Sequence, residues 1–226
     1  MSTQSAVATQ PDTKQRILDA AERLFAHEGY NNTSLRAITG EADVNLAAVN
    51  YHFGSKEALL EAVFQRRLVP LNQVRRERLE AVREASQREG RPPGARETLA
   101  AFIEPTLAFR ESAAGAGEFS NLVGRAIIDP DDTVRKIFLH HIEPIFQLLF
   151  DTLREALPDL PPEKLFWRVQ FSLGAMGHTI HMRATGDDAQ KNGKFKCLPH
   201  GIISSCDAAS MTDMLLTFIT AGMEAP

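Results

Sequence analysis

Cysteine is nearly absent from this 226-residue chain. Its two copies, Cys197 and Cys206, stand in a polar stretch with eight residues between them, a spacing that fits neither a zinc-ligand pattern nor a disulfide framework. Valine and isoleucine do not gather in period-two runs beside hairpin dipeptides, which argues against a sheet. No uninterrupted apolar run approaches the ~18 residues that a membrane-spanning helix requires. A Gly-rich phosphate loop and a Gly-x-Ser-x-Gly elbow are both missing, and no histidine follows a glutamate by three residues as in di-iron bundles. His178 and His181 share a helix face, a half-site for zinc, but a carboxylate-rich partner is missing. We therefore expect no enzyme activity, no cofactor and no metal. The first ten residues are small and polar, without a basic start leading into an apolar stretch. Residues 1–11 read as a disordered tail without a secretory leader, and a cytoplasmic address follows.

What the chain does have is helical periodicity throughout, which predicts an all-α fold. The segment from Asp12 or Thr13 buries Ile17, Leu18, Ala21, Leu24 and Phe25 on one face and ends at Gly29. Asp12 with Gln15 is spaced as a capping-box-like pair. From Thr33 to Lys56 the pattern is two short helices and a tight turn. Thr33 or Ser34 caps the first, which buries Leu35 and Ile38; residues 41–44 turn; Asn45 caps the second, which carries Leu46 and Val49. This is a helix-turn-helix, whose second helix lies in the major groove with its first residues toward base edges. Those residues are Asn45, Leu46, Ala47, Ala48 and Asn50. The three helices, with Phe53, Leu59, Leu60 and Val63, are expected to form one small core.

The run Tyr51-His52-Phe53-Gly54-Ser55-Lys56-Glu57-Ala58-Leu59-Leu60, together with the amphipathic segment before it, resembles the DNA-binding domain of TetR-family transcriptional regulators over roughly residues 12 to 65. The family commonly places glycine in the turn, where this chain has Asp43, a residue that tolerates the left-handed conformation better than most. The resemblance implies phosphate contacts by Thr33, Tyr51, His52 and Lys56, and base contacts by Asn45, Leu46 and Ala47. Two other readings stay open: Tyr51 as a half-buried plug of the helix junction, and Asn45, Leu46 and Ala47 as purely structural. The wording Asn-Leu-Ala-Ala-Val-Asn-Tyr-His-Phe also resembles a branch that includes fatty-acid-responsive regulators.

Charge complicates that reading. Residues 1–60 hold five basic side chains (Lys14, Arg16, Arg23, Arg36, Lys56) against seven acidic ones (Asp12, Asp19, Glu22, Glu28, Glu41, Asp43, Glu57), a balance of minus two. Nonspecific affinity for DNA comes mostly from phosphate neutralisation. Binding must then depend on Arg36 and Lys56 facing DNA with the carboxylates elsewhere, helped by backbone N–H groups at the helix starts near Ser34, Asn45 and Ser55. A shallow salt dependence is expected.

From Leu59 to Glu89 the chain is helix-permissive and rich in arginine, broken only by Pro70. Its arginines read as a solvated face with i to i+4 partners; the alternative is a helix kinked at Pro70 that transmits movement. Arg91-Pro92-Pro93-Gly94 is the clearest break. Further helices are expected near 95–112, 117–128, 131–156, 162–185 and 205–223, with a surface loop over 186–201. We expect a tail (1–11), a helix-turn-helix domain (12–58) and a helical ligand-binding and dimerisation domain (59–226).

Ten of the thirteen phenylalanines fall after the break at residues 91–94. Helical spacing makes each a core candidate, but the set also suits a cavity for an apolar effector. Pro105 and Pro144, inside two of the helices, could open room for it. The candidate lining is Phe102, Phe109, Phe119, Arg125, Phe138, His141, Phe171 and His178, with Asn121 and Gln170 at the rim. Arg125 is the expected partner of an acyl carboxylate or thioester, because a guanidinium grips an anion with two prongs. The last two helices carry apolar faces, with Gly174 and Gly177 allowing close approach; the resemblance implies that they form a homodimer on a palindromic operator. The expected function is a ligand-responsive repressor that binds double-stranded DNA. An activator of the same fold, or a helical-bundle enzyme or carrier of apolar ligands, stands as the alternative.

Overall fold

The computed structural model describes residues 12–112, 115–128, 132–191 and 207–226, without the side chains of residues 112, 127, 128 and 181–191. Among the described residues every regular element is an α-helix: α1 (Thr13–Glu28), α2 (Leu35–Ala42), α3 (Leu46–Phe53), α4 (Lys56–Glu89), α5 (Ala95–Ser112), α6 (Ala116–Ile128), α7 (Asp132–Ala156), α8 (Pro162–Lys191) and α9 (Ala208–Glu224). None is long and apolar enough to cross a membrane.

Local chemistry sets the helix ends. Ser34 Oγ accepts from the Ala37 N–H at 3.0 Å, Asn45 Oδ1 from Ala48 at 2.8 Å and Ser55 Oγ from Ala58 at 3.0 Å, so three successive helices begin on a side-chain cap. Gly29 closes α1 at φ 85°, and Asp43 closes α2 in the left-handed region at φ 52°, as expected for the residue standing in the turn glycine's place. The capping box expected at Asp12 does not form: Asp12 makes no side-chain cap, and Gln15 donates to Asp19 instead.

Packing divides into two cores. The first gathers Ile17, Ala21 and Phe25 of α1, Ile38 of α2, Val49 of α3 and Leu59, Leu60, Val63, Phe64 and Leu68 of α4. It is larger than the self-contained three-helix core expected, because Phe119, Leu122 and Ala126 of α6 and Val134 and Ile137 of α7 belong to it. Each large side chain fully buried here contributes about 1.5–3 kcal/mol, so the helix-turn-helix leans on the rest of the chain for its stability. The second core joins Leu79 to Leu99, Phe102 and Ile103 of α5, Ile145, Leu149 and Leu153 of α7, Leu165 and Val169 of α8, and Leu215, Leu216 and Ile219 of α9.

Helix α4 links the two. It runs unbroken through Pro70 for 34 residues, about 51 Å at 1.5 Å per residue. Helices α5 and α7 likewise continue through Pro105 and Pro144. The loop expected over 186–201 is helical up to Lys191; its remainder, with Phe195 and Cys197, lies outside the described residues, as does Cys206.

Candidate nucleic-acid interface and effector region

Helix α3 buries one residue completely, Val49. Everything else on it that could meet a duplex is outward: Asn45, Ala47 and Asn50 are exposed, Leu46 is 42% exposed and Tyr51 86%. Tyr51 is therefore no plug of the helix junction; its ring meets that of its neighbour His52 edge-on at 5.1 Å. His52 is half-buried. Lys56 Nζ lies 4.2 Å from the centre of the Tyr30 ring, and Tyr30 leans on Phe25 in the core, so this cation is held by an aromatic face. Each side-chain cap takes the N–H three residues on, leaving the first N–H groups of α2, α3 and α4 outside the intrahelical ladder, where they suit phosphate oxygens.

Thr33 needs a correction. Its side chain is buried, with the hydroxyl donating to the Gly29 carbonyl at 2.8 Å and the Leu24 carbonyl at 3.3 Å. It closes the α1–α2 corner and cannot reach a phosphate. Ser34, the exposed cap beside it, stays at the surface.

The acidic balance is resolved by pairing. Glu22, 2% exposed, accepts from Arg67 Nε at 3.0 Å and Nη2 at 2.8 Å and from Arg66 Nη2 at 2.5 Å, while Arg66 also meets Asp19 at 2.6 Å. Arg23 pairs with Glu41. The arginines of α4 are thus only in part the solvated face expected: Arg66 and Arg67 turn inward and neutralise α1, whereas Arg78 with Glu104 and Arg83 with Glu155 pair at the surface with other helices.

Among the described residues, those expected around an effector fall in different places, and none lines the cleft beside α5 and α9. Phe109, Phe119 and Phe138 join Phe64 in an aromatic cluster of the first core, with centroid separations of 5.8–6.0 Å. Arg125 is engaged at α1: Nε donates to the Ala26 carbonyl and Nη2 to the His27 carbonyl, both at 2.8 Å, so its charge sits on the negative end of that helix. His141 Nε2 lies 2.6 Å from Glu61 Oε1, tying α7 to α4. Phe171 is 69% exposed, and His178 and Asn121 are exposed as well. Only Phe102 keeps an interior place in the second core. An open cleft of about 500 Å³ runs beside α4, α5 and α9, lined by Ala100, Leu107, Ala108 and Leu216, with the pairs Arg78–Glu104 and Arg96–Asp213 at its rim.

Phe102 leads to a group that the sequence reading passed over. The Arg75 guanidinium sits 4.2 Å from the Phe102 ring centre, donates from Nη1 to Asn72 Oδ1 at 2.8 Å and from Nη2 to Thr106 Oγ1 at 2.6 Å, and is 4% exposed. Its Nε has no partner. Burial lowers its pKa from the usual guanidinium range to about 9, so it stays charged at neutral pH. The signal was present in the sequence. Leu68, Leu71, Arg75, Leu79 and Val82 follow one another at helical spacing, which puts Arg75 on the apolar stripe of α4; Glu22 holds the equivalent place between Leu18 and Phe25 on α1.

Helices α8 and α9 leave large apolar side chains outside. Phe166, Trp167, Phe171, Met214 and Phe218 are 41–72% exposed, and the Trp167 and Phe171 rings stack at 6.2 Å. Arg168 of α8 donates at 2.7 Å to the Met223 and Ala225 carbonyls, capping the end of α9 and fixing the pair.

Known proteins match both halves. Residues 17–63 fit the description "Bacterial regulatory proteins, tetR family", and residues 100–222 fit "Tetracyclin repressor-like, C-terminal domain". Among curated relatives, the probable HTH-type transcriptional regulator YttP of Bacillus subtilis is 43% identical over 49 residues, 22% of this chain and 24% of that protein. The nicotine-responsive repressor HdnoR of Paenarthrobacter nicotinovorans is 41% identical over 51 residues, 23% of this chain and 26% of its own. The matched stretch thus spans only about a quarter of these relatives. Whole-chain similarity appears in solved structures. The fatty acid degradation regulator FadR of Bacillus halodurans superposes with a TM-score of 0.63 at 13% identity, covering 99% of both chains. FadR of Bacillus subtilis, solved with stearoyl-CoA, gives 0.63 at 15% identity, covering 92% of this chain and 98% of its own. At such identities the likeness is one of fold. The C-terminal description alone takes in more than half of the residues, and with the helix-turn-helix before it the chain belongs to the TetR family of bacterial regulatory proteins.

Proposed function

We propose that the chain is a homodimeric transcriptional repressor that leaves a palindromic operator when a small apolar or amphipathic molecule, a fatty acid or acyl-CoA, binds its C-terminal helices. The observation that carries the DNA part is the exposure of α3: a helix that buries only Val49 and turns Asn45, Leu46, Ala47, Asn50 and Tyr51 outward is available to a groove. In this reading Asn45, Leu46, Ala47 and Asn50 meet base edges. Tyr51, His52, Lys56 and the Ser34 helix start meet the backbone. The fatty-acyl reading draws support from the Bacillus subtilis fold neighbour solved with stearoyl-CoA.

The dimer in this proposal uses α8 and α9. Five large apolar side chains on these two helices, Phe166, Trp167, Phe171, Met214 and Phe218, are left in water, which supports a partner that covers them. A two-fold pairing there sets two reading heads at a fixed spacing, and an effector acts through its differential affinity for states that differ in that spacing. The test pairs light scattering with duplex titration. Wild type should be a dimer that shifts fragments of its own promoter. Phe171→Glu with Phe218→Glu should give a folded monomer with at least about tenfold weaker operator binding, since neither ring belongs to a core. A monomeric wild type, or one that binds promoter and random duplex alike, contradicts the proposal.

A further inference from the structure

We infer that Arg75, with Asn72 and Thr106, is the anion-recognition point of the effector site and selects ligands that join a carboxylate to an apolar body; this rests on the effector-responsive reading above. A guanidinium taken out of water is costly unless an anion and a full set of acceptors meet it. Arg75 has two neutral acceptors and an aromatic face, its Nε is without a partner as are those of Arg66, Arg83 and Arg110, and, unlike Arg66 and Arg83, it forms no ion pair among the described residues. The other arginines that α4 turns onto its neighbours, Arg66, Arg67, Arg78 and Arg83, all meet carboxylates. Arg75 is the buried exception. An arginine kept for packing alone would gain from replacement by an apolar chain of its length, so its retention on the apolar stripe points to an acidic ligand.

The surroundings specify the class. Phe102, with Ile103, Ile145 and Leu149 of the second core, makes the surroundings of Arg75 apolar, so an acid that reaches the guanidinium must carry a hydrocarbon body and displace packed side chains to enter. The same node carries a route outward. Asn72 accepts from Arg75 and donates from Nδ2 to the His141 carbonyl at 2.9 Å, and His141 meets Glu61 on the first turns of α4, next to the helix-turn-helix core. A carboxylate that takes the guanidinium competes with Asn72 Oδ1 and loosens the α4–α7 tie.

The test uses the full-length dimer and two probe series, straight-chain carboxylic acids and the primary alcohols of equal length from eight to eighteen carbons. Calorimetric titration follows binding, and operator release is measured in parallel. Wild type should prefer acid over alcohol by about tenfold or more at the best chain length, as a charge-assisted pair allows. Arg75→Met should bring the preference below about threefold, while its melting temperature without ligand stays level or rises; the loss of preference is the readout that a purely structural arginine would not move. Arg75→Lys, which keeps the charge without the two-pronged geometry, should still prefer acid with weaker affinity. Equal binding of acid and alcohol by wild type at every length, or an unchanged preference in Arg75→Met, overturns the inference. Failure of the regulator reading shows separately, as absence of specific DNA binding by ligand-free protein, and leaves the calorimetric comparison intact.

Discussion

Arg125 on α6 holds the last turn of α1 by two hydrogen bonds of 2.8 Å, to the carbonyls of Ala26 and His27. A cation at a helix C-terminus that also satisfies carbonyls left over by the helix is worth more than a surface ion pair. It is also a mechanical tie, because α6 shares the first core through Phe119, Leu122 and Ala126. Arg125→Ala should cost about 1.5–3 kcal/mol, in the range of hydrogen bonds made by a charged group. For a chain of this size that lowers the melting temperature by roughly 2–4 °C per kcal/mol. The variant should keep its operator affinity within about threefold and respond more weakly to effector. A melting curve and an effector response identical to wild type would show the tie to be idle.

Glu22 gives a sharper stability test. Its carboxylate is buried and receives Arg66 and Arg67 together. Removing one side of a buried charge arrangement leaves the other uncompensated, so Glu22→Ala should destabilise by about 3–5 kcal/mol. Chemical denaturation measures this, and Asp19→Ala is the control: exposed on the rim of the same cluster, it should cost under about 1 kcal/mol. Equal effects of the two would place the cluster's energy at the surface.

Asp43 tests the turn. Its φ of 52° favours glycine, asparagine and aspartate. Asp43→Gly should leave stability within about 0.5–1 kcal/mol, the relief of the left-handed residue being offset by chain entropy. Asp43→Val should cost at least about 1–2 kcal/mol, because a β-branched side chain resists this conformation. If valine were tolerated as well as glycine, the turn would have to take another shape.

Much of this architecture was legible beforehand, and the physical reasons differ from place to place. Helix starts at Ser34 and Asn45 could be read because a cap is a local event. So could the left-handed Asp43, since few residues accept that backbone. The buried charges Glu22 and Arg75 were not recovered: periodicity places them on inner faces, but habit assigns charged residues to solvent, and the partner that justifies Glu22 lies 44 or 45 residues away. Arg125 and Thr33 went wrong for a related reason. Each has chemistry suited to an anion, and each spends it on backbone carbonyls that only the folded chain brings near. The scatter of Phe109, Phe119, Phe138 and Phe171 over the first core and an outer face cannot be read from helical spacing, which gives a face but not what that face meets.

At the interface, the proposed roles separate by what each substitution changes. Lys56→Ala should weaken binding to all duplexes about equally and reduce the slope of log affinity against log salt by about one. Tyr51→Phe should weaken all duplexes about equally with little change of slope. Asn45→Ala and Leu46→Ala should instead alter the ranking among sequences, by about 1–3 kcal/mol at the affected base pairs. Fluorescence anisotropy at several salt concentrations distinguishes these outcomes. Unchanged affinity in both Tyr51→Phe and Lys56→Ala would remove them from the backbone contacts.

The most direct test is selection of bound duplexes from a random library by the purified wild-type protein, repeated with Asn45→Ala. Two-fold symmetric sites should emerge, with the Asn45 substitution relaxing the same base pair in both half-sites. Recovery of no preferred sequence, or of a single unsymmetrical site indifferent to Asn45, would contradict a paired insertion of α3 into the major groove.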